Sequence, residues 1–198
     1  MSVVFDKLSR LYETGHSGEP PELYGDERLD GVGDFRAAAV LVAFTDRGDD
    51  PGILLLHRPS NMRSHPGQIA LPGGSIDPGE TPVEAALRES WEELGVRERD
   101  VRVIGPSDTY RTHSGFEITP VIGVVPADIQ ITPNPIEVAQ WFEAPARFVF
   151  DPANQTKQLI DWDSRARSYY EIPWREHRIW GITAAILVNL SRRLRWHD

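Results

Sequence analysis

Apolar residues recur along this chain with two periods, and each period predicts a type of element. From Val4 to Tyr12 they follow helical spacing, so residues 3–13 are predicted to form an amphipathic helix. Residues 16–34, rich in Gly, Pro, Asp and Glu, predict an extended connection. Runs typical of strands follow at residues 35–44, 53–57, 68–71, 101–104, 117–125 and 129–131. Pro120 interrupts the fifth run, which predicts an edge strand or a bulge.

The C-terminal third continues this mixed pattern. Residues 137–142 alternate and are expected to pair with the main sheet, and residues 148–154 predict a short helix or turn. A second hairpin is expected over residues 157–162 and 167–172, before a closing helix over residues 180–194. A mixed sheet covered by helices is therefore the expected architecture.

The best-marked element is a helix that follows a glycine-rich stretch. Thr81 is a suitable N-cap, Pro82 fits the first helical position, and Glu84 completes a capping box. Gly95 is placed to end the helix. The stripe that should face a core consists of Val83, Leu87, Ser90 and Leu94.

Three carboxylates, Glu89, Glu92 and Glu93, fall on another face of this helix within an arc of about 100°. Like charges three or four positions apart repel each other by roughly a few tenths of a kcal/mol per pair on an exposed helix. Arg88 and Arg97 are the only cations near them in sequence. A hard divalent cation with oxygen ligands would relieve this repulsion, and a solvated acidic face is the alternative.

The glycine-rich stretch and the helix together carry a longer pattern: Gly, five residues, Glu, seven residues, Arg-Glu-x-x-Glu-Glu-x-Gly and an apolar residue. The positions that fill it are Gly74, Glu80, Arg88, Glu89, Glu92, Glu93, Gly95 and Val96. Over these 23 residues the chain resembles the Nudix box, the defining motif of the Nudix hydrolase family. Ser90 is a departure, since the family usually has an apolar residue there.

The resemblance implies a fold of the α/β (α+β) class, an α/β/α sandwich with a mixed β-sheet and a loop–helix–loop catalytic motif. It covers about residues 35–196. Residues 35–198 are therefore expected to form the Nudix hydrolase domain, and residues 1–34 an N-terminal helix and connection. The resemblance also implies hydrolysis of a nucleoside diphosphate linked to another moiety, with Mg²⁺ or Mn²⁺ as cofactor.

The same resemblance implies roles for the carboxylates. Glu89 and Glu93 are expected to be the strongest metal ligands, with Glu89 acting in catalysis as well. Glu92 is expected to be a third ligand or the base that activates water. Further candidates for a ligand or base, among which the sequence does not choose, are Glu117, Glu137 and Glu143.

The other residues of the motif are expected to support the site. Arg88 is interpreted as orienting the carboxylates by ion pairing, and Glu80 as a weaker, peripheral participant. Gly73 and Gly74 are expected to let the backbone approach the phosphates of a substrate, because neither carries a side chain.

The stretch before the glycines resembles an additional motif of the coenzyme A diphosphatase branch of the family. Its residues in register are Arg58, Arg63, Gly67, Pro72, Gly73 and Gly74, and the departures are His57, Pro59 and Leu71. Arg58 and Arg63 are interpreted as phosphate ligands, with surface arginines in a polar loop as the alternative. The resemblance implies coenzyme A or acyl-CoA as substrate, with 3′-phosphoadenosine 5′-phosphate and (acyl-)4′-phosphopantetheine as products.

Composition restricts the remaining function classes. The 198-residue chain has a formal net charge of −9, which argues against broad binding to nucleic acids or anionic membranes. A polyanionic small molecule held locally by arginines is still compatible with that charge. Cysteine is absent, which excludes disulfides and a cysteine nucleophile. Because the sequence has no secretory signal and no apolar run of membrane length, a cytoplasmic protein is expected, and a homodimer is left open.

Three hypotheses follow. The first is a coenzyme A diphosphatase. The second keeps the chemistry but takes ADP-ribose, a dinucleotide or an oxidised nucleotide as substrate. The third is a Nudix-fold nucleotide sensor without turnover, against which the intact Arg-Glu-x-x-Glu-Glu argues. A serine–histidine hydrolase, suggested by His113 beside Ser114, lacks the Gly-x-Ser-x-Gly elbow.

Overall fold

The computed structural model of this protein describes residues 2–29, 32–61, 66–162 and 165–196, so Arg63 lies outside the described residues. The helices are α1 (Val3–His16), α2 (Pro82–Leu94), α3 (Ala146–Val149) and α4 (Gly181–Arg193). Single 3₁₀ turns cover Glu98–Asp100 and Pro152–Asn154. The strands are β1 (Arg36–Asp46), β2 (Gly52–His57), β3 (Ile69–Ala70), β4 (Gly73–Ser75), β5 (Arg102–Pro106), β6 (Tyr110–Arg111), β7 (Phe116–Pro126), β8 (Gln140–Pro145), β9 (Thr156–Trp162), β10 (Arg165–Trp174) and β11 (His177–Trp180). Within this described part, every helix is too short or too polar to cross a lipid bilayer.

Eight of these strands form one mixed sheet, in which β3, β2, β1, β7 and β5 lie side by side in that order. β1 and β7 run parallel along their whole length, from the pair Arg36–Phe116 to the pair Asp46–Pro126. The other pairs in this sheet are antiparallel, including β4 on β1, β8 on β2 and β6 on β7. A second, antiparallel sheet consists of β11, β10 and β9.

Helices cover both faces of the eight-stranded sheet. On one face, α2 packs in a core with Ala39, Leu41 and Ala43 of β1. On the other face, Val42 and Phe44 of the same strand share a core with residues of α1 and α4. Alternate side chains of a strand point to opposite faces, so the nearly continuous apolar run of β1 fills both cores. Each fully buried side chain of leucine size contributes about 1.5–3 kcal/mol. The predicted α/β/α sandwich with a mixed sheet is confirmed.

Most predicted elements are present, and the exceptions have local causes. Residues 129–131, predicted as a strand, form none, because Thr132 N–H donates to the Leu94 carbonyl and ties this segment to the end of α2. The strand predicted at residues 137–142 begins later, as β8, and pairs with β2 in the main sheet as expected. The second hairpin is present as β9 and β10.

Pro120 does not mark a sheet edge, the first of the two predicted alternatives, because β7 lies between β1 on one side and β5 and β6 on the other. As for the second alternative, a bulge, the register of β5 against β7 does shift between Val103 and Gly105. The Pro120 carbonyl accepts a hydrogen bond from Ser107 N–H (2.8 Å), and Ser107 lies in the gap between β5 and β6. The N–H and C=O of one strand residue point to the same neighbouring strand. The N–H that Pro120 lacks would therefore point into a gap where the ladder is already interrupted.

The sequence signals at both ends of α2 are confirmed. Thr81 Oγ1 accepts from Glu84 N–H, and the Glu84 carboxylate accepts from Thr81 N–H, which completes the capping box. Gly95 ends the helix in a left-handed conformation with φ 70°. Ser90, the departure from the motif, is fully buried, and its hydroxyl donates to the Ala86 carbonyl (2.7 Å). The core therefore accepts this polar residue because its hydroxyl is satisfied within the helix.

The extended segment after α1 is tied to several other elements. The backbone of Tyr24 forms two hydrogen bonds with the side-chain amide of Asn189 in α4, at 2.8 and 2.9 Å. Glu27 accepts from the Ser168 hydroxyl in β10 (2.7 Å). Asp26 accepts from the backbone of the turn that precedes β7. This segment therefore links α4, the second sheet and that turn.

Candidate active site

Two glutamates of α2 meet the backbone of the glycine-containing strand β4. Glu93 is 4% exposed, and its Oε2 accepts a hydrogen bond from Gly73 N–H (2.9 Å). A Cβ added to Gly74 would stand 2.4 Å from Oε1 of Glu89, so only glycine leaves room for that carboxylate. A Cβ added to Gly73 would stand 2.3 Å from the Ala39 carbonyl oxygen of β1. The two glycines therefore let β4 lie between β1 and the carboxylates of α2.

Burial removes water from around the carboxylates of Glu89 and Glu93, and the neighbouring groups replace only part of the lost hydration. It raises the pKa of Glu93 to about 8, because the Gly73 N–H offsets only part of the lost hydration and the charge of Glu89 adds repulsion. Burial also raises the pKa of Glu89, although hydrogen bonding and charge from Arg88 act in the opposite direction. Two acidic groups four residues apart on one helix destabilise each other when both are ionised. Added positive charge would therefore stabilise this site.

Arg88 connects the other carboxylates of the motif. Its Nε donates to Glu80 (2.7 Å), and its Nη1 lies 2.9 Å from Glu89 and 3.3 Å from Glu92. Its Nη2 donates to the Ser75 carbonyl (3.0 Å), which holds β4 against α2. The hydrogen bonds from Arg88 lower the pKa of Glu80 to about 2. Arg88 thus orients the acidic side chains of the motif.

A cleft of about 460 Å³ borders the Gly73–Gly74 backbone. Arg58 lines this cleft, and its buried Nε has no hydrogen-bond partner within the described part of the chain. The positive charge of Arg58 also lowers the pKa of Glu93, so the guanidinium lies near that carboxylate. The other polar side chains of the lining include Arg36, Thr112 and Ser114, and its apolar residues include Ile118, Ile182 and Ile186.

Comparison with known proteins agrees with this arrangement. Residues 34–163, more than half of the chain, match the family model of the NUDIX domain. The chain belongs to the Nudix hydrolase family. A protein named "Uncharacterized Nudix hydrolase NudL" from Enterobacter sp. (strain 638) is 35% identical over 164 residues, which cover 80% of this chain and 83% of that relative. A protein of the same name from Photorhabdus laumondii is 32% identical over 160 residues, covering 80% and 85%.

A solved Nudix structure resembles this Nudix chain as well. The Nudix hydrolase RenU from M. smegmatis is 25% identical and aligns with a TM-score of 0.51 over 66% of this chain and 83% of that one. Nudix hydrolases act on derivatives of nucleoside diphosphates and generally need a divalent cation. At this level the activity of the present chain is that of a Nudix pyrophosphohydrolase acting on small molecules.

The side chains of this Nudix site suit a divalent cation by their chemistry. Within the described ranges, no three acidic or imidazole side chains already converge as a ligand set, and Arg88 holds Glu89 and Glu92. The donors are nevertheless carboxylate oxygens, which hard cations prefer. Burial raises the pKa of Glu89 and of Glu93 despite the nearby charges of Arg88 and Arg58, so a bound cation would favour the ionised form of both. These two side chains, with Glu92, are therefore the residues that would hold the cation.

Of the three glutamates that follow the Nudix motif, Glu137 is the one whose charge affects Glu89 and Glu93. Burial is the main cause of the raised pKa of each, and the charge of Glu137 adds a smaller contribution. The loop that carries it is fixed on the helix because Asn134 N–H donates to the Glu93 carbonyl (2.8 Å). Glu117 and Glu143 instead form ion pairs with arginines of other elements. The sequence could not make this choice, which depends on how the loop after β7 folds back.

The residues at the Arg36 end of the cleft were not predicted from the sequence. Arg36 begins β1 and Phe116 begins β7, and the two are directly paired across the parallel strands. The Thr112 hydroxyl lies 3.0 Å from that of Ser114, and both residues line the cleft. Only the register of β1 against β7 could have revealed this grouping, and two strands with long apolar runs do not specify their register by sequence.

Among the described residues, His113 and His57 do not form the serine–histidine pair considered as an alternative. His113 Nδ1 lies 3.0 Å from Asp26 Oδ2, whereas the hydroxyl of Ser114 contacts another hydroxyl. His57 Nε2 lies 2.9 Å from His177 Nδ1, and burial and this neighbour lower the pKa of His57. Each of these histidines is therefore committed to a partner other than a serine.

Asp26 anchors the turn that carries Thr112 and Ser114, two residues of the cleft lining. Its carboxylate accepts from the backbone N–H of His113 at 3.0 Å, and from Nε and Nη2 of Arg28, each at 2.8 Å. Burial by itself raises the pKa of Asp26, but the hydrogen bonds from Arg28 and His113 outweigh this effect and hold the pKa well below its ordinary value of 3.8. Folding therefore stabilises the ionised form.

We expect Asp26→Asn to lower the free energy of unfolding by about 2 kcal/mol at pH 7, since hydrogen bonds to a charged group contribute about 1.5–3 kcal/mol. The folded pKa is depressed, so this stability is present above 3.8 and is lost as the pH falls towards the folded pKa. Urea unfolding at pH 7 and at about pH 3 should show a difference between wild type and variant that shrinks in acid. Glu27→Gln, a change of the exposed neighbouring carboxylate, is the control and should cost less than about 1 kcal/mol. An equal loss for Asp26→Asn at both pH values would contradict this account.

Proposed function

We propose that this Nudix hydrolase cleaves the pyrophosphate bond of coenzyme A or acyl-CoA, giving 3′-phosphoadenosine 5′-phosphate and 4′-phosphopantetheine or its acyl form. The observation that carries the proposal is that the backbone of Gly73 and Gly74 borders both the carboxylates of Glu89 and Glu93 and a cleft lined by Arg58. A diphosphate lying along the backbone of Gly73 and Gly74 would reach both the carboxylates of α2 and Arg58. The resemblance of residues 55–74 to the coenzyme A diphosphatase motif supports the choice of substrate.

Each side chain has a role in this proposal. The cofactor is Mg²⁺ or Mn²⁺, and when bound it would neutralise phosphate charge and lower the pKa of a water molecule. Glu89 and Glu93 would hold it. Glu92 would be a third ligand or the base that accepts the proton of the attacking water, and Glu137 is the other candidate for that base. Arg58 would donate to the pyrophosphate oxygens, because a guanidinium presents parallel N–H donors that match a phosphate.

A substrate panel with product identification tests the substrate. With Mg²⁺ or Mn²⁺, the purified full chain should hydrolyse coenzyme A to the two stated products faster than ADP-ribose, a dinucleotide or an oxidised nucleotide. Strong hydrolysis of ADP-ribose with none of coenzyme A would overturn the proposal. Binding without turnover of any member, with metal present, would instead favour a nucleotide sensor.

Removal of divalent ions should abolish turnover. We expect EDTA to lower the rate at least about 100-fold, because charge on the phosphates is then left uncompensated, and excess Mg²⁺ or Mn²⁺ should restore it. Calorimetric titration with Mn²⁺ gives a readout that does not depend on turnover, and Glu89→Gln should weaken Mn²⁺ binding about tenfold or more. Full activity after exhaustive chelation, or unchanged Mn²⁺ affinity of the variant, would contradict the assignment.

A further inference from the structure

Arg36 lies in the cleft at a distance from the catalytic carboxylates. It lines the same cleft as the Gly73–Gly74 backbone. β1 pairs with those glycines through Val40 and Ala39, which follow Arg36 by four and three residues. At about 3.3 Å per residue, the Cα atom of Arg36 is therefore about 10–13 Å along the strand from the part of β4 that the carboxylates contact.

The guanidinium of Arg36 is held in position but is not neutralised. It lies over the ring of Phe116, 4.1 Å from the ring centroid. Within the described residues, no carboxylate lies within ion-pair distance of it. Arg111, which lies nearby in β6, does have such a partner, since its Nε lies 2.8 Å from Glu117. Contact with an aromatic face leaves the N–H donors of Arg36 free for a ligand.

Arg36 carries a positive charge without an ion-pair partner among the described residues, although the chain as a whole has a net charge of −9. Such a chain repels polyanionic substrates at long range, so their binding depends on local cations. Arg58 supplies one of these beside Glu93. Arg36 supplies a second, and the same cleft is lined by Ser114, whose hydroxyl lies 3.0 Å from that of the buried Thr112. This cationic region suits a second anionic group of the substrate, separate from the diphosphate.

We propose that Arg36, supported by Phe116, binds a phosphate monoester of the substrate that is remote from the pyrophosphate. It thereby selects nucleoside diphosphates that carry an additional phosphate on the ribose. This inference rests on the proposed function, in which the 3′-phosphate of coenzyme A is that group. The forked donors of arginine match a phosphate dianion, and lysine at this position would keep the charge without the fork.

The test compares coenzyme A with 3′-dephospho-coenzyme A as substrates of the wild type, Arg36→Gln and Arg36→Lys. Because a charge-assisted hydrogen bond to the 3′-phosphate is lost, the KM ratio of coenzyme A to its dephospho form should rise about tenfold or more in Arg36→Gln. Arg36→Lys should give an intermediate ratio. For coenzyme A, KM should change more than kcat, because Arg36 does not contact the reacting phosphates.

A binding measurement supports the kinetics without turnover. By calorimetry, the wild type should bind 3′-phosphoadenosine 5′-phosphate more tightly than AMP, and Arg36→Gln should lose this preference. Arg111→Gln is the matched control, because this exposed arginine is paired with Glu117 and lies outside the cleft lining. Its KM ratio should equal that of the wild type. Arg58→Gln should instead raise both KM values by similar factors.

The outcomes separate the two proposals. If the wild type hydrolyses coenzyme A but Arg36→Gln changes both KM values equally, or neither, this inference is wrong and the proposed function stands. If the wild type does not hydrolyse coenzyme A, the proposed function is wrong, and the assignment of Arg36 to its 3′-phosphate is wrong with it.

Discussion

Replacement of Glu93 by glutamine is expected to lower kcat by at least about 100-fold while the protein stays folded. Glu93 is buried, and its Oε2 accepts the Gly73 N–H at 2.9 Å. The amide oxygen of glutamine can accept the same bond, so the substitution removes a charge without removing a contact. Loss of a charged ligand weakens the stabilisation of the transition state, and about 1.4 kcal/mol corresponds to each factor of ten in rate.

The measurement is steady-state kinetics at saturating Mg²⁺, together with thermal unfolding of the same samples. The unfolding temperature of Glu93→Gln should not fall, since burial already disfavours a charge at this position and the neutral amide also avoids repulsion from Glu89. Glu84→Gln is the matched control on the same helix, because glutamine also completes a capping box. The control should keep wild-type turnover. Near-wild-type turnover of Glu93→Gln would show that this residue is not a metal ligand.

Signals that act within a few residues explain why α2 could be predicted closely. The capping box of Thr81 and Glu84 and the terminal Gly95 act through hydrogen bonds and backbone conformation inside the helix itself. The Nudix pattern could be recognised for the same reason, because the glycines and the glutamates lie on adjacent elements of one short segment. A mixed sheet covered by helices could be predicted for a related reason, since the alternation of polar and apolar residues depends on strand and helix geometry alone. The α/β/α sandwich itself was implied by the resemblance to the Nudix family.

The environment of Glu93 could not be predicted in this way. The wheel assigns Glu93 to a polar face, away from the apolar stripe of α2, yet the residue is buried. Its burial arises because β4 pairs with β1 and its backbone covers the carboxylate. The central position of Pro120 and the pairing of Arg36 with Phe116 have the same origin, since both depend on which strands become neighbours. These features depend on tertiary structure, so the pattern of residues within one element does not predict them.

The two glycines of β4 should respond differently to alanine. Gly74→Ala is expected to lower kcat at least about 100-fold with little loss of stability. The three atoms nearest to a Cβ there all belong to the Glu89 carboxylate, at 2.4–2.7 Å, and the free end of a side chain can move away from it. Moving that carboxylate displaces a proposed metal ligand, and small displacements of a catalytic group can cost about 100-fold in rate.

Gly73→Ala should instead destabilise the fold by about 3 kcal/mol. Its Cβ would meet the backbone of Ala39 and Val40 at 2.3 and 2.6 Å, and the backbone of a central strand cannot yield easily. Urea unfolding and steady-state kinetics of both variants separate the effects. Gly18→Ala is the control, since a Cβ there meets nothing within 4 Å. If Gly74→Ala kept full turnover, Glu89 would have to work from a displaced position, and its role as a ligand at the Gly73–Gly74 backbone would be wrong. If Gly73→Ala were as stable as the wild type, the close contact of β4 with β1 that brings this backbone to the carboxylates would be wrong.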